Sequence, residues 1–247
     1  MTTDGTSVGS IYIHAPFCAR RCVYCDFAVT VRKTGDVAAW SEALARELKA
    51  LRRERLFQLR EQLDTVYVGG GTPSLLGPDA MHRVATLLGP SRLGGDELEW
   101  TAEANPESLT REVAERWSAA GVNRLSLGAQ SFSEPALRWM GRLHGSEGPT
   151  EALNAARSAG IQNVSVDLIF GLPRRLDRSW PDDLDQLLRL DVPHVSLYGL
   201  TVEPETWLGA AVREGREAPI DDVQYREEYL EAAAHLKAAG YRTHCLT

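Results

Sequence analysis

The chain has 247 residues, 43% of them hydrophobic and 25% charged, with a formal net charge of -7. Those are the proportions of an ordinary globular protein with ample material for a core. The acidic balance gives no reason to expect a nucleic-acid or membrane-surface partner, although it leaves room for a local basic patch, and no apolar run is long enough to span a bilayer.

The N-terminal MTTDGTSVGS lacks the basic and apolar regions of a secretory signal, so a cytoplasmic location is expected and residues 1–9 read as a disordered lead-in. SIYIHA (10–15) is the first strand candidate. It runs into CARRCVYC (18–25), which holds three of the four cysteines. DVAAWSEALARELKALRRERLFQLREQL (36–63) carries apolar residues at helical spacing throughout its length. DTVYVGG (64–70), LEWTAEA (98–104), NRLSLGAQ (123–130), NVSVDLIF (163–170) and HVSLYGL (194–200) are further strands, with helical patterns such as TREVAERWSAA between them. Gly121 and Gly160 follow their helices as C-terminal caps. After the helix YREEYLEAAAHLKAAG, YRTHCLT (241–247) begins what reads as a seventh strand. Alternating strands and helices predict a parallel sheet with right-handed crossovers, an α/β barrel or an open arc of one. One domain over 10–240 is the economical reading, with 241–247 the truncated or divergent start of a C-terminal region.

A reducing cytosol disfavours disulfides and turns the cysteines towards metal or redox chemistry. Three residues separate Cys18 from Cys22, and two separate Cys22 from Cys25. One reading is a structural zinc site completed by His14, because zinc closes a tetrahedron with four ligands. The other is a cubane iron–sulfur cluster with one iron left open. In parallel α/β folds ligands lie beyond the C-terminal strand ends, and the unusual residues fall there. GGGTPS follows the second strand, where glycines allow close backbone approach and exposed amides for a carboxylate or amine. Glu103, in EANPES, ends the third and Gln130 the fourth, while Asp167 lies among aliphatic residues of the fifth. An acid on a buried parallel strand is costly unless paired.

Together, CARRCVYC, GGGTPS, EANPES, GVNRLSLGAQSF, GRLH and DLIFGLP resemble the radical S-adenosylmethionine (radical SAM) superfamily, in order from about residue 10 to 240. Within it they are similar to the branch holding oxygen-independent coproporphyrinogen III oxidase and its haem-chaperone relative, HemW. The resemblance implies a partial (βα)6 barrel. It makes Cys18, Cys22 and Cys25 ligands of a [4Fe–4S] cluster whose fourth iron takes the amino and carboxylate groups of S-adenosylmethionine. It places Tyr12 and Tyr24 against that cofactor, Gly70, Gly71 and Thr72 at its methionine end, and Glu103, Gln130, Arg142, Asp167 and Thr201 at further contacts. His144, in GRLHG, reads instead as a surface loop histidine. The chemistry implied is one-electron reduction of the cofactor to methionine and a 5′-deoxyadenosyl radical.

The oxidase branch carries a further cysteine where this chain has Phe27, and a longer N-terminal extension bearing substrate-site residues. Both departures favour the chaperone-like branch, with haem as bound cargo and haem-acceptor proteins as partners, over decarboxylation of coproporphyrinogen III. That branch normally continues past residue 240 into a small C-terminal domain that YRTHCLT does not resemble. Cys245 reads as part of a divergent end and not as a ligand. A zinc-stabilised protein without radical chemistry is the third reading.

Overall fold

The structure, a computed structural model, describes residues 6–54 and 57–244. In chain order its strands are β1 (Thr6–Val8), β2 (Ser10–Ala15), β3 (Phe17–Cys18), β4 (Thr30–Val31), β5 (Phe57–Leu59), β6 (Thr65–Gly70), β7 (Glu99–Ala104), β8 (Arg124–Gln130), β9 (Asn163–Phe170) and β10 (His194–Gly199). The helices are α1 (Val37–Glu54), α2 (Ala80–Leu88), α3 (Arg111–Ala120), α4 (Glu134–Met140), α5 (Gly148–Ser158), α6 (Trp180–Arg189), α7 (Trp207–Arg213) and α8 (Asp222–Ala238).

Six strands form one sheet in the order β2-β6-β7-β8-β9-β10, and every pairing is parallel. Each helical crossover therefore returns the chain to the next position in the sheet, which makes an α/β partial (βα)6 barrel. All six strand candidates are present to within a residue or two.

The two faces of this sheet differ. Val66, Val68, Trp100, Ala102, Leu125, Leu127, Val164, Val166 and Leu168 are fully buried and share one core with the helices. The alternate residues form a polar inner face: Glu103 stands opposite Ser126, Asp167 opposite Ser196, and Tyr12 opposite Tyr67. Tyr12 and Tyr198 on that face are 58% and 55% exposed. Asp167 is accordingly not an acid lost among aliphatic neighbours: the two-residue strand period turns it away from them.

Local signals set the helix ends. Thr110 caps α3 by accepting from the Val113 N–H, and Gly121 closes it at φ 112°. Gly160, two residues beyond α5, has φ 89°. Three expectations need correction. The helical pattern of 36–63 does not run through: α1 ends at Glu54, and β5 pairs with β1, aligning Phe57 with Thr6 and Leu59 with Val8. That pairing overrides the helical periodicity. It also gives residues 6–8 of the expected disordered lead-in a strand conformation; residues 1–5 lie outside the described residues. Third, residues 241–244 form no strand, and Cys245 with the rest of YRTHCLT lies outside the described residues. Among the described residues no helix is long and apolar enough to cross a membrane.

Candidate functional site

The cysteine loop leaves the C-terminal end of β2 and is fastened at several points. Cys18 aligns with Val31 where β3 pairs with β4. The Val23 N–H donates to Met140 O at 3.2 Å, and Val23 O accepts from the Leu208 N–H at 2.9 Å, so the ends of α4 and α7 hold the loop between them. Cys18, Cys22 and Cys25 are all free thiols, partly buried. Burial pushes the Cys18 and Cys25 thiols up, opposed at Cys18 by the Thr72 hydroxyl, which donates to its Sγ at 3.4 Å. Arg142 points a guanidinium nitrogen at Cys22 Sγ, 3.9 Å away.

His14 does not complete a zinc shell. Its Nδ1 faces the Tyr12 hydroxyl at 3.0 Å and its Nε2 faces Ala28 O at 3.0 Å, so Nε2–H donates and Nδ1 accepts. Among the described residues no three His, Cys, Asp or Glu side chains converge closely enough to hold a single metal ion. A cubane is less demanding in this respect, since each thiolate binds a different iron.

The glycine turn works differently from the expectation of free amides. The Gly70 N–H donates to Glu103 Oε2 at 2.9 Å, Gly71 N–H to Ala15 O at 2.8 Å, and Thr72 N–H to Phe17 O at 2.7 Å. All three amides are committed within the protein, so the turn supplies shape. Gly70 has φ 113°, and a Cβ there would lie 2.3 Å from the His14 ring; one on Gly71 would meet the Phe17 and Ala15 carbonyls at 2.7–2.8 Å. Only glycine permits this approach of β6 to the cysteine loop. Glu103 is held by Gly70 and by the Tyr67 hydroxyl, which donates to Oε1 at 2.8 Å.

Beyond β8 the polar groups converge. Arg142 donates to Asn105 Oδ1 at 2.7 Å, Gly128 O at 2.5 Å and His144 Nε2 at 3.3 Å. Asn105 in turn donates to the buried Thr72 hydroxyl at 3.2 Å. His144 is not a surface histidine: it is buried, and its Nδ1–H donates to Gly145 O, leaving Nε2 to accept from Arg142. Burial, then the Arg142 charge, holds its pKa below the usual histidine range. Gln130 sits at a bulge with φ 68°, an unusual conformation for a side-chain-bearing residue. Its Oε1 is buried without a partner among the described residues, an acceptor that a donor from a ligand would satisfy.

Asp167 accepts from the Ser126 hydroxyl at 3.0–3.1 Å and makes no ion pair among the described residues. Burial raises its pKa to about 6 against the hydrogen bonds of Ser126 and Ser196, with the Glu103 charge adding to the rise. Such an acid is poised for a cationic or hydroxyl partner. The structure thus joins Cys18, Cys22, Thr72 and Arg142 in one bonded cluster and links Gly70 to Glu103. Tyr24 is half-buried and packs against an apolar cluster drawn from α4, β9, α7 and the segments between them. Tyr12 lies exposed at the sheet edge, and Thr201 is exposed just beyond β10. Asn105 and Tyr67 were not singled out from the sequence. Asn105 lies inside EANPES, and only that motif could have signalled it.

The residues fit the group that the resemblance implies: three free thiols beside a half-buried cation, a turn only glycine can make, and an orphan acceptor. The chain is 36% identical over 239 residues to the haem chaperone HemW of Escherichia coli (strain K12), covering 94% of this chain and 60% of that one. It is 36% identical over 198 residues to HemW of Lactococcus lactis subsp. lactis (strain IL1403), covering 80% and 50%. Coproporphyrinogen III oxidase (HemN) from Escherichia coli, a solved radical SAM enzyme, superposes with a TM-score of 0.80 at 26% identity, over 97% of this chain and 54% of that one. The chain thus spans between half and three-fifths of the length of these relatives. Residues 12–187, from the inner face of β2 through the cysteine loop to α6, match the radical SAM superfamily. The chain belongs to that superfamily, which implies a [4Fe–4S] cluster and S-adenosylmethionine as its cofactors.

Proposed function

We propose that this chain is the cluster-bearing barrel of a haem chaperone resembling HemW, carrying haem for delivery to acceptor proteins. Cys18, Cys22 and Cys25 hold the [4Fe–4S] cluster at the mouth of β2. Arg142 and Thr72 place donors on its sulfur ligands, while Gly70, Gly71 and Glu103 shape the recess beside it for the methionine end of S-adenosylmethionine. Gln130, Asp167, Thr201, Tyr12 and Tyr24 complete the cofactor's surroundings. Bound there, cluster and cofactor would supply one-electron reductive chemistry at the cofactor's sulfonium. The protein's own share is positioning, through the hydrogen-bond network of Arg142, Asn105, Thr72, Gly70 and Glu103, and exclusion of water.

The observation that carries the chaperone over the oxidase reading is Phe27, 59% exposed on the cysteine loop, where the oxidase branch has a cysteine. Identities of 36% to HemW, against 26% to the oxidase, support it. The test is anaerobic incubation of the reconstituted chain with coproporphyrinogen III, reductant and cofactor, alongside a haem titration. No protoporphyrinogen IX and a shifted haem absorbance are expected. Multiple turnovers to protoporphyrinogen IX would replace the chaperone with the enzyme, and neither result would leave the barrel without its proposed cargo. Phe27→Cys should not create the oxidase activity.

A further inference from the structure

Asn105, the first residue after β7, is half-buried and engaged through both backbone and side chain. Its Oδ1 accepts from Arg142 Nη2 at 2.7 Å, and its Nδ2 donates to Thr72 Oγ1 and Glu107 Oε1, each at 3.2 Å. Its N–H donates to Ser74 Oγ at 3.1 Å, and its carbonyl accepts from the Ser108 and Leu109 N–H groups, each at 3.1 Å. Backbone and side chain are therefore fixed together.

The amide can face only one way. Arginine has donors and no acceptor, so the atom it meets is the amide oxygen, and the nitrogen is turned towards Thr72. The Glu107 carboxylate, an acceptor, requires the same orientation. That orientation decides what the Thr72 hydroxyl does. A hydroxyl has one hydrogen to give, and with Asn105 donating to Oγ1 that hydrogen points elsewhere. Cys18 Sγ receives it at 3.4 Å, and Thr72, 4% exposed, has little water to turn to instead. A second arm reaches Cys22. Asn105 anchors one terminal nitrogen of Arg142, and the other lies 3.9 Å from Cys22 Sγ. One side chain thus aims a donor at each of two thiols without touching either.

Hydrogen bonds to the sulfurs of an iron–sulfur cluster favour its reduced form, because the added electron raises the negative charge that the donors face. Groups that orient such donors tune a metal centre from outside its ligand shell. We propose that Asn105 is a positioning residue for the cluster: it directs the Thr72 hydroxyl at Cys18 and the Arg142 guanidinium at Cys22, and through them raises the cluster's reduction potential. The proposal rests on the assignment of Cys18, Cys22 and Cys25 as cluster ligands.

The test is a redox titration of the reconstituted chain without S-adenosylmethionine, followed by the paramagnetic resonance signal of the reduced cluster. Asn105→Leu, which keeps the branching but has neither donor nor acceptor, should lower the potential by about 59 mV or more, a tenfold change in a one-electron equilibrium. Asn105→Ala should repeat the shift where leucine is not accommodated. Thr72→Val, which deletes only the hydroxyl arm, should lower the potential by less, and Thr72→Ser should keep the parent value. The double variant Asn105→Leu/Thr72→Val should match Asn105→Leu alone, because the hydroxyl is no longer aimed once Asn105 is gone. An unchanged potential in both Asn105 variants, or single shifts that add in the double variant, would overturn the proposal while leaving the ligand assignment intact. A lowered melting temperature of the cluster-free Asn105→Leu chain with an unchanged potential would make Asn105 structural only, which also overturns it. A parent chain that assembles no four-iron cluster would overturn the ligand assignment and this proposal with it.

Discussion

The two faces of the six-stranded sheet come from the same strands, one residue apart, yet they solve opposite problems. On the outer face Trp100, Leu125, Leu127 and Val166 are fully buried against helices, and their removal from water is what holds the barrel together. On the inner face Tyr12, Tyr67, Glu103, Ser126, Asp167 and Ser196 meet one another through hydroxyls and carboxylates. Two aspartates show the contrast. Asp183, in α6, accepts from the Ser131 hydroxyl and the Phe132 N–H at 2.7 and 2.8 Å, and Arg178 lies 3.4 Å from it. Asp167 has serine hydroxyls and, among the described residues, no ion pair, with only the Arg124 charge acting on it from farther off. The helix-packed side satisfies its charges internally; the inner side leaves one acid and the Gln130 oxygen waiting. Stability and ligand chemistry are thus separated across a single sheet.

Five substitutions would break or sharpen that separation. The largest effect is expected from Cys22→Ala, which should abolish the cluster's charge-transfer absorbance while leaving thermal unfolding of the cluster-free chain nearly unchanged. An intact four-iron cluster in this variant would sink the ligand assignment. Cys245→Ala should leave the absorbance as it is.

Trp117→Ala should do the reverse. This fully buried α3 side chain also donates to Gly77 O at 3.1 Å, and its loss should cost about 3–5 kcal/mol in denaturant unfolding. A cost below 1 kcal/mol would mean that the outer face is not the stabilising one.

Asp167→Asn tests the inner face by pH. With its pKa at about 6 in the fold and about 3.9 in the unfolded chain, Asp167 holds a proton in the native state that the unfolded state releases. Native stability should therefore fall as pH rises from about 4 to about 6, by on the order of 2–3 kcal/mol, and the asparagine variant should lack this slope. Identical pH profiles would show that Asp167 carries no such strain.

The smallest effect is predicted for Gln130→Gly. Relieving the positive φ and the orphan oxygen should stabilise the cluster-free chain by about 1 kcal/mol. The same change should weaken S-adenosylmethionine binding, measured anaerobically by calorimetry. Loss of stability without loss of affinity would recast Gln130 as a structural residue.

Much of this was legible in one dimension. Strand alternation, turn residues and the cysteine spacing are local properties, so the six main strands and the three-thiol loop could be placed from the chain alone. The parallel order followed because helices of one or a few turns must return each strand beside the last. Other features depended on partners far away in sequence. Residues 57–59 carry a helical pattern but pair with 6–8, across some fifty residues. His144 looked like a loop histidine until Arg142 and the packing around it buried the ring. The GGGT turn suggested free amides, yet Glu103, Ala15 and Phe17 claim those of Gly70, Gly71 and Thr72. Asp167 read as an acid among aliphatic residues because a string of letters does not show which face a strand turns to its helices. The sequence by itself determined which residues alternate and where the thiols cluster, since those depend on neighbours within a few positions. Only the tertiary structure decided which hydrogen-bonding groups are spent and which remain for a ligand, because each bond joins atoms that the chain brings together from dozens of residues apart.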